Sequence, residues 1–319
     1  MSRHLLIVVG LLGLGCDVRS PPPAAAPRPV QRHLAAAEPA PAPPPPAVDL
    51  SIGDGFELRP ALRDGRLALA PIVATHPLSR PYAALHESMQ RGTAVVRESP
   101  NGFDVEHVLV TNDGADPLFV LNGEVVIDAQ QDRVVAESAV IPAHQSRNVR
   151  VRCVESSRAE GGARFHSPGL VAELPLRQAV THLEQAEVWR AVDQINAGLG
   201  LAPETHTYRH AASLLSTGPI AIRRDRLLAR LAAHPDRPRI VGVAVALDGR
   251  VVAIDRFATP SLYRSLEPRL LASYLAGASG PPREGKRVTP DDIRALLRLS
   301  AATEASLTAL RPPDRFATR

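Results

Sequence analysis

Between Leu50 and Glu155 strand-like runs follow one another so closely that no crossover helix fits between most of them, and this limits the fold more than any other feature. Apolar or alternating runs at 66–73, 93–98, 105–110, 118–121, 124–127, 133–141 and 148–153 are separated by turn chemistry such as Ser99-Pro100-Asn101-Gly102 and Asn122-Gly123. A parallel neighbour requires a connection of roughly a dozen residues or more, whereas antiparallel strands need only a tight turn. The spacing therefore predicts an antiparallel meander or sandwich, with one short helix through 82–89.

The pattern changes after Gly169. Val188, Val192, Ile195 and Leu199 recur at helical spacing around Trp189, and a second helix is expected from Arg223 to about Ala233. Two strands at 240–245 and 251–254 flank Asp248-Gly249, a strong hairpin signal. Thr259-Pro260 and Thr289-Pro290 each supply an N-cap and a first-turn proline, and Asp291 and Asp292 suit the positive end of the last helix. The class is α+β: an antiparallel β meander or sandwich in the first half, helices packed with a β-hairpin in the second.

The first 48 residues belong to neither half. Arg3 and His4 precede an apolar run ending Leu12-Gly13-Leu14-Gly15-Cys16. About eleven apolar residues fall short of the roughly twenty that span a bilayer, so residues 1–16 read as an export signal. Its end resembles the lipobox of bacterial lipoproteins, in which the cysteine is acylated. Residues 17–48 hold 11 of the 31 prolines and few core-forming side chains. Such a segment cannot bury enough apolar surface to offset its ordering entropy. It is expected to be a disordered, extended spacer of up to ~90 Å at about 3.1 Å per residue. The expected organisation is signal 1–16, Pro/Ala-rich stalk 17–48, folded domain 49–278, and linker with C-terminal helix 279–319. The expected address is the cell envelope, lipid-anchored and facing the periplasm or the outside. The membrane is then a partner through Cys16.

The formal charge is +4, but Lys286 is the only lysine and the arginines are scattered among acids. Arg147, Arg150 and Arg152 read as a solvated strand face, and nucleic-acid binding is not expected. The chain has no Gly-x-Ser-x-Gly elbow, no Gly-x-x-x-x-Gly-Lys-Ser/Thr phosphate loop and no Gly-x-Gly-x-x-Gly. No cofactor or metal is expected. His206 and His210 have the i, i+4 spacing of a zinc pair but lack the glutamate of His-Glu-x-x-His and an evident third ligand.

The polar residues that stand out are Glu124, Gln131, Arg133, Glu155 and Arg158. Gln131 and Arg133 share one face by period two, while Glu124 and Glu155 stand at strand ends. One arrangement pairs Arg133 with Glu124 or Glu155, leaving Gln131 to hydrogen-bond backbone or ligand. Two acids, an arginine and an amide suit either ligand binding or general acid–base hydrolysis, with Glu124 and Glu155 the catalytic candidates. The alternative is a network that ties strand ends together. Cys153 shares a face with Val149 and Val151, which makes it a small buried hydrophobe rather than a nucleophile.

These residues carry a resemblance. Gly123, Glu124, Gln131 and Arg133, followed by Cys153-Val154-Glu155 and Arg158, resemble the Gly-Glu…Gln-x-Arg and Cys-Val-Glu segments of the ARG and rhodanese-phosphatase-superfamily-associated protein domain. Trp189, the hairpin from Val241 to Phe257 and the helix holding Tyr274 extend it over roughly 52–278. Ala129-Gln130 and Ala159-Glu160 stand where family members tend to have a glycine and an aromatic. The resemblance implies a domain without assigning a reaction. The expected function is therefore a tethered extracytoplasmic lipoprotein that binds a ligand or envelope protein near Glu124, Gln131, Arg133, Glu155 and Arg158. The alternatives are a hydrolase of a nucleotide or ADP-ribose-type substrate and a non-catalytic structural component of the envelope.

Overall fold

A computed structural model of the 319-residue chain describes residues 51–53, 55–99, 106–157, 161–278 and 289–313. The expected signal, Cys16, the spacer and Arg158 lie outside the described residues. The fold belongs to the unit Val48–Arg319.

Strands β1 (Ser51–Gly53), β2 (Phe56–Leu58), β3 (Leu62–Asp64) and β4 (Leu67–Ala74) come first. β5 (Ala83–Ala84) runs into helix α1 (Leu85–Gln90), in the place where a short helix is predicted. Next are β6 (Ala94–Glu98), β7 (His107–Asn112), β8 (Leu118–Val120), β9 (Val125–Val126), β10 (Arg133–Val135), β11 (Ala139–Ile141) and β12 (Gln145–Cys153). Four helices follow: α2 (Leu174–His182), α3 (Gln185–Gly198), α4 (Arg209–Ser213) and α5 (Gly218–Ala232). The hairpin of β13 (Ile240–Leu247) and β14 (Arg250–Phe257) leads into α6 (Pro260–Gly277), α7 (Pro290–Leu297), β15 (Ala301–Ala302) and β16 (Ser306–Leu310). The class is α+β, as the sequence implies.

Sheet order shows how the two halves are joined. The largest sheet runs β1-β2-β4-β13-β14-β16-β15, with β3 also on β4, so the C-terminal hairpin is completed by a strand from the first half. β6-β7-β12-β10-β9 form a second sheet and β11-β8-β5 a third. The strand pairs are antiparallel except β5 with β8. β13 is buried along nearly its whole length, which explains its unbroken apolar run Ile-Val-Gly-Val-Ala-Val-Ala-Leu. On one side Val243 and Val245 join Leu227 and Leu231 of α5 and Leu266, Leu270 and Tyr274 of α6 in the main core. On the other, Val241 and Ala244 meet Ile293 and Leu296 of α7. Each fully buried Leu or Ile contributes about 1.5–3 kcal/mol.

Local chemistry explains the ends of these elements. Asp248 and Gly249 both have positive φ, 48° and 76°, as a tight hairpin turn of this hand requires. Thr259 Oγ1 accepts from Leu262 N at 3.1 Å to cap α6, and Thr289 and Asp292 form a reciprocal capping box on α7. Residues beyond 278 supply the expected helix and also β16, which pairs with β14 over five residues. α2 and the strands β15 and β16 have no counterpart in the sequence reading. They are short, and their patterns are not distinctive.

Candidate functional site

The Gln131, Arg133 and Glu155 side chains come together where β10 meets β12. Arg133 pairs in register with Cys153, and its Nη1 donates to Gln131 Oε1 at 3.1 Å. Gln131 Nε2 donates to the Glu155 carbonyl at 3.1 Å, and Glu155 Oε2 accepts from Asp132 N at 3.1 Å. All three side chains are buried. Among the described residues the Arg133 guanidinium otherwise reaches only Glu98, at 4.0 Å, and its Nε has no partner. Burial lifts the Glu98 carboxyl above its ordinary range against the pull of Arg133. Neighbouring Asp132 accepts from Arg209 Nη2 and Nε at 2.7 and 3.0 Å, locking β10 to α4.

Cys153 is fully buried. Its thiol donates to the Glu155 carbonyl at 2.9 Å, the Trp189 indole of α3 lies beside it, and burial pushes its pKa up. Gln185 bonds both backbone groups of Cys153, at 3.0 and 2.7 Å, fixing α3 to β12. A neutral, sealed thiol of this kind is a packing element.

Glu124 does not join this cluster. Its Oε1 accepts from Arg269 Nη1 of α6 at 2.8 Å and its Oε2 from Leu121 N at 2.9 Å. Arg269 then reaches Glu87 of α1 at 3.2 Å. Burial raises the Glu124 carboxyl even against this arginine. The pairing of Arg133 with Glu124 or with the Glu155 carboxylate gives way to Arg269 for one and a backbone N–H for the other. Val135 N donates to the Glu124 carbonyl and Asp132 N to the Glu155 side chain. The two acids thus mark opposite ends of β10, about 10 Å apart at roughly 3.3 Å per residue.

A buried ion pair joins α2 to β14. Arg177 of α2 bonds Asp255 of β14 through Nη1 and Nη2, both at 2.9 Å, with both side chains 0 % exposed. Tyr274 and Thr308 hydroxyls also donate to Asp255, at 2.5 and 3.1 Å, and Arg177 Nε donates to Asn122 Oδ1 at 3.3 Å. Burial would raise the Asp255 carboxyl, but Arg177 and the two hydroxyls hold it below its ordinary value. Gly123 makes room for this arginine. It has φ +90°, and a Cβ there would lie 2.6 Å from Arg177 Cγ.

Asn122, Thr181 and Thr308, which surround this pair, form the floor of an open cleft of about 820 Å³. One wall is the start of β12 with the β10–β11 connection, and the other is the β15–β16 hairpin; His182, in the last turn of α2, lies between them. His182 Nε2 donates to the Leu310 carbonyl at 2.9 Å. Arg147, Arg150, Glu137 and Glu304 line the cleft. Among the described residues, Arg150 and Glu137 have no side-chain partner, Arg147 bonds only the Val140 carbonyl at 3.3 Å, and Glu304 meets Arg80 at 3.5 Å.

The model of the ARG and Rhodanese-Phosphatase-superfamily-associated Protein domain, ARPP-1, matches residues 55–311. The chain belongs to the ARPP-1 family. The match runs past 278 to include α7 and β16, consistent with the place of β16 in the main sheet. Comparison with curated proteins and with solved structures finds no match.

The residues that carry the resemblance thus divide by place. Gly123 and Glu124 fit α2 and α6 onto β9, while Gln131, Arg133, Cys153 and Glu155 bind β10, β12 and α3. Sequence reasoning missed Arg269, Arg177, Asp255 and the cleft. The available signal was Asp255 itself, an acid on the same alternating face as the core residues Ala253 and Phe257. Arg152, read as solvated, is buried and bonds Glu106 at 2.9 Å. His206 has φ +49° and precedes α4, so it shares no helix face with His210 and instead contacts Asp193 at 2.9 Å. No cluster of metal-ligating side chains occurs among the described residues.

Proposed function

We propose that this chain is a lipid-anchored extracytoplasmic binding protein, acylated at Cys16, whose ARPP-1 domain stands on the 17–48 spacer and takes a ligand in the cleft above Asn122, Thr181 and Thr308. The observation that carries the binding role is the contrast between this cleft and the motif cluster. The cleft is open and lined by Arg150 and Glu137 without partners among the described residues, within the size range of small-ligand sites. Glu124, Gln131, Arg133 and Glu155 are buried and already engaged with the protein. Hydrolysis by paired carboxylates has less support, because Glu124 and Glu155 stand at opposite ends of β10. Among the described residues no helix is long and apolar enough to cross a membrane, so in this reading the tether rests on Cys16.

A thermal-shift screen of the full chain against peptides, sugars, nucleotides and ADP-ribose tests the binding role. A ligand at a hundred times its Kd adds about 2.7 kcal/mol, or roughly 5–10 °C for a domain of this size. Arg150→Ala is expected to remove the shift; a shift unchanged by it would place the ligand elsewhere. Metabolic labelling with radioactive palmitate tests the tether. The label should appear in the wild-type chain and vanish in Cys16→Ser, and an unlabelled wild-type chain would sink the anchor.

A further inference from the structure

We infer that the cleft takes a short zwitterionic peptide, laid as an added strand along the outer edge of β15 with its carboxylate on Arg147 and Arg150. This rests on the cleft reading proposed above and names its ligand class.

Three features point the same way. The first is a sheet edge. β15 ends the strand order of the main sheet, and its residues Ala301 and Ala302 line the cleft with exposed, small side chains. A sheet edge offers main-chain N–H and C=O groups to an extended chain, and alanine methyls let another backbone come close. The second is charge. Arg147 and Arg150 of β12 are matched in number by Glu137 and Glu304. That balance suits a ligand carrying one carboxylate and one ammonium, whereas a phosphate dianion would meet the two glutamates unfavourably. The third is what else lines the walls. Val140, Leu299 and Leu310 give an aliphatic surface; no Phe, Tyr or Trp lines the cleft among the described residues, and the imidazole of His182 is tied to the Leu310 carbonyl at 2.9 Å. A nucleobase or sugar ring would lack a broad stacking platform there, while an aliphatic peptide side chain would be covered.

Isothermal titration of the full chain in detergent decides the matter. The probes are Ala-Val-Ala, its C-terminal amide, its N-acetyl form and the version N-methylated at the central residue. Saturable binding of Ala-Val-Ala is expected, weakened about ten- to a hundredfold by amidation as a charge-assisted bond is lost. Acetylation and N-methylation should also weaken it. Arg150→Ala should narrow the gap between acid and amide, and the double change Arg147→Ala with Arg150→Ala should close it. Equal binding of acid and amide to the wild-type chain overturns the carboxylate assignment, and unchanged binding of the N-methylated peptide overturns strand addition. If no peptide binds while another ligand gives a thermal shift that Arg150→Ala removes, the peptide is wrong and the cleft reading stands. If no ligand of any class depends on Arg150, the cleft reading falls with it.

Discussion

Arg177 and Asp255, 78 positions apart in sequence, form a two-pronged ion pair with no solvent exposure, and through it α2, β14, α6 and β16 share one polar centre. Every oxygen of Asp255 is engaged: Oδ1 accepts from Arg177 and Thr308, Oδ2 from Arg177 and Tyr274. Removing one partner strands a buried charge, so Asp255→Ala should cost about 3–5 kcal/mol in denaturant unfolding. The double change Arg177→Met with Asp255→Leu should recover most of that loss. A single variant as stable as the wild type would contradict the pair's role.

Gly123 sits against the same arginine. Gly123→Ala forces a side chain into positive φ and sets a Cβ 2.6 Å from Arg177 Cγ. A loss of about 1–3 kcal/mol is expected from the backbone strain alone, with more if Arg177 leaves Asp255. Thermal unfolding of the variant checks this, and an unchanged Tm would show that Arg177 has room to move.

Glu173, at the start of α2, gives a pH signature. Burial pushes its carboxyl up to about 7. Between the unfolded value of ~4.3 and 7 the folded chain holds a proton that the unfolded chain has released. Stability from this group therefore falls as pH rises through that window and levels off above it. Glu173→Gln removes the fall, so its advantage over the wild type should grow from pH 5 to pH 8, reaching at most about 4 kcal/mol. Parallel unfolding curves at both pH values would contradict the shift.

Cys153 should be silent in the native state. Its sealed thiol donates to the Glu155 carbonyl, and burial raises its pKa, which suppresses thiolate. Ellman's reagent at pH 8 should label it only after unfolding. Rapid labelling of the folded Cys16→Ser chain would reopen the nucleophile reading.

Legibility of the sequence followed the range of the interactions. The β13–β14 turn at Asp248-Gly249 and the caps at Thr259 and Thr289 act within a few residues, so their signals survive in a single sequence. Glu124 and Arg269 are 145 positions apart, and nothing in the Asn-Gly-Glu segment announces an arginine on α6. Gln131 and Arg133 do meet as their spacing suggests, but the same spacing is silent on whether they face solvent or core. The cleft was invisible because its walls belong to different sheets, and β15 and β16 are too short to stand out.

The central claim is that ligand binding belongs to the cleft and scaffolding to the motif cluster, and ligand-induced thermal shift in two variants tests it most directly. Arg150→Ala should leave the unliganded Tm within about 2 °C of the wild type, as surface changes do, and abolish the shift. Arg133→Ala should lower the unliganded Tm by several degrees, for a loss of about 1–3 kcal/mol, and keep the shift. The opposite pattern would contradict the account and move the site to Gln131, Arg133 and Glu155: a normal Tm and no shift in Arg133→Ala, with a full shift in Arg150→Ala.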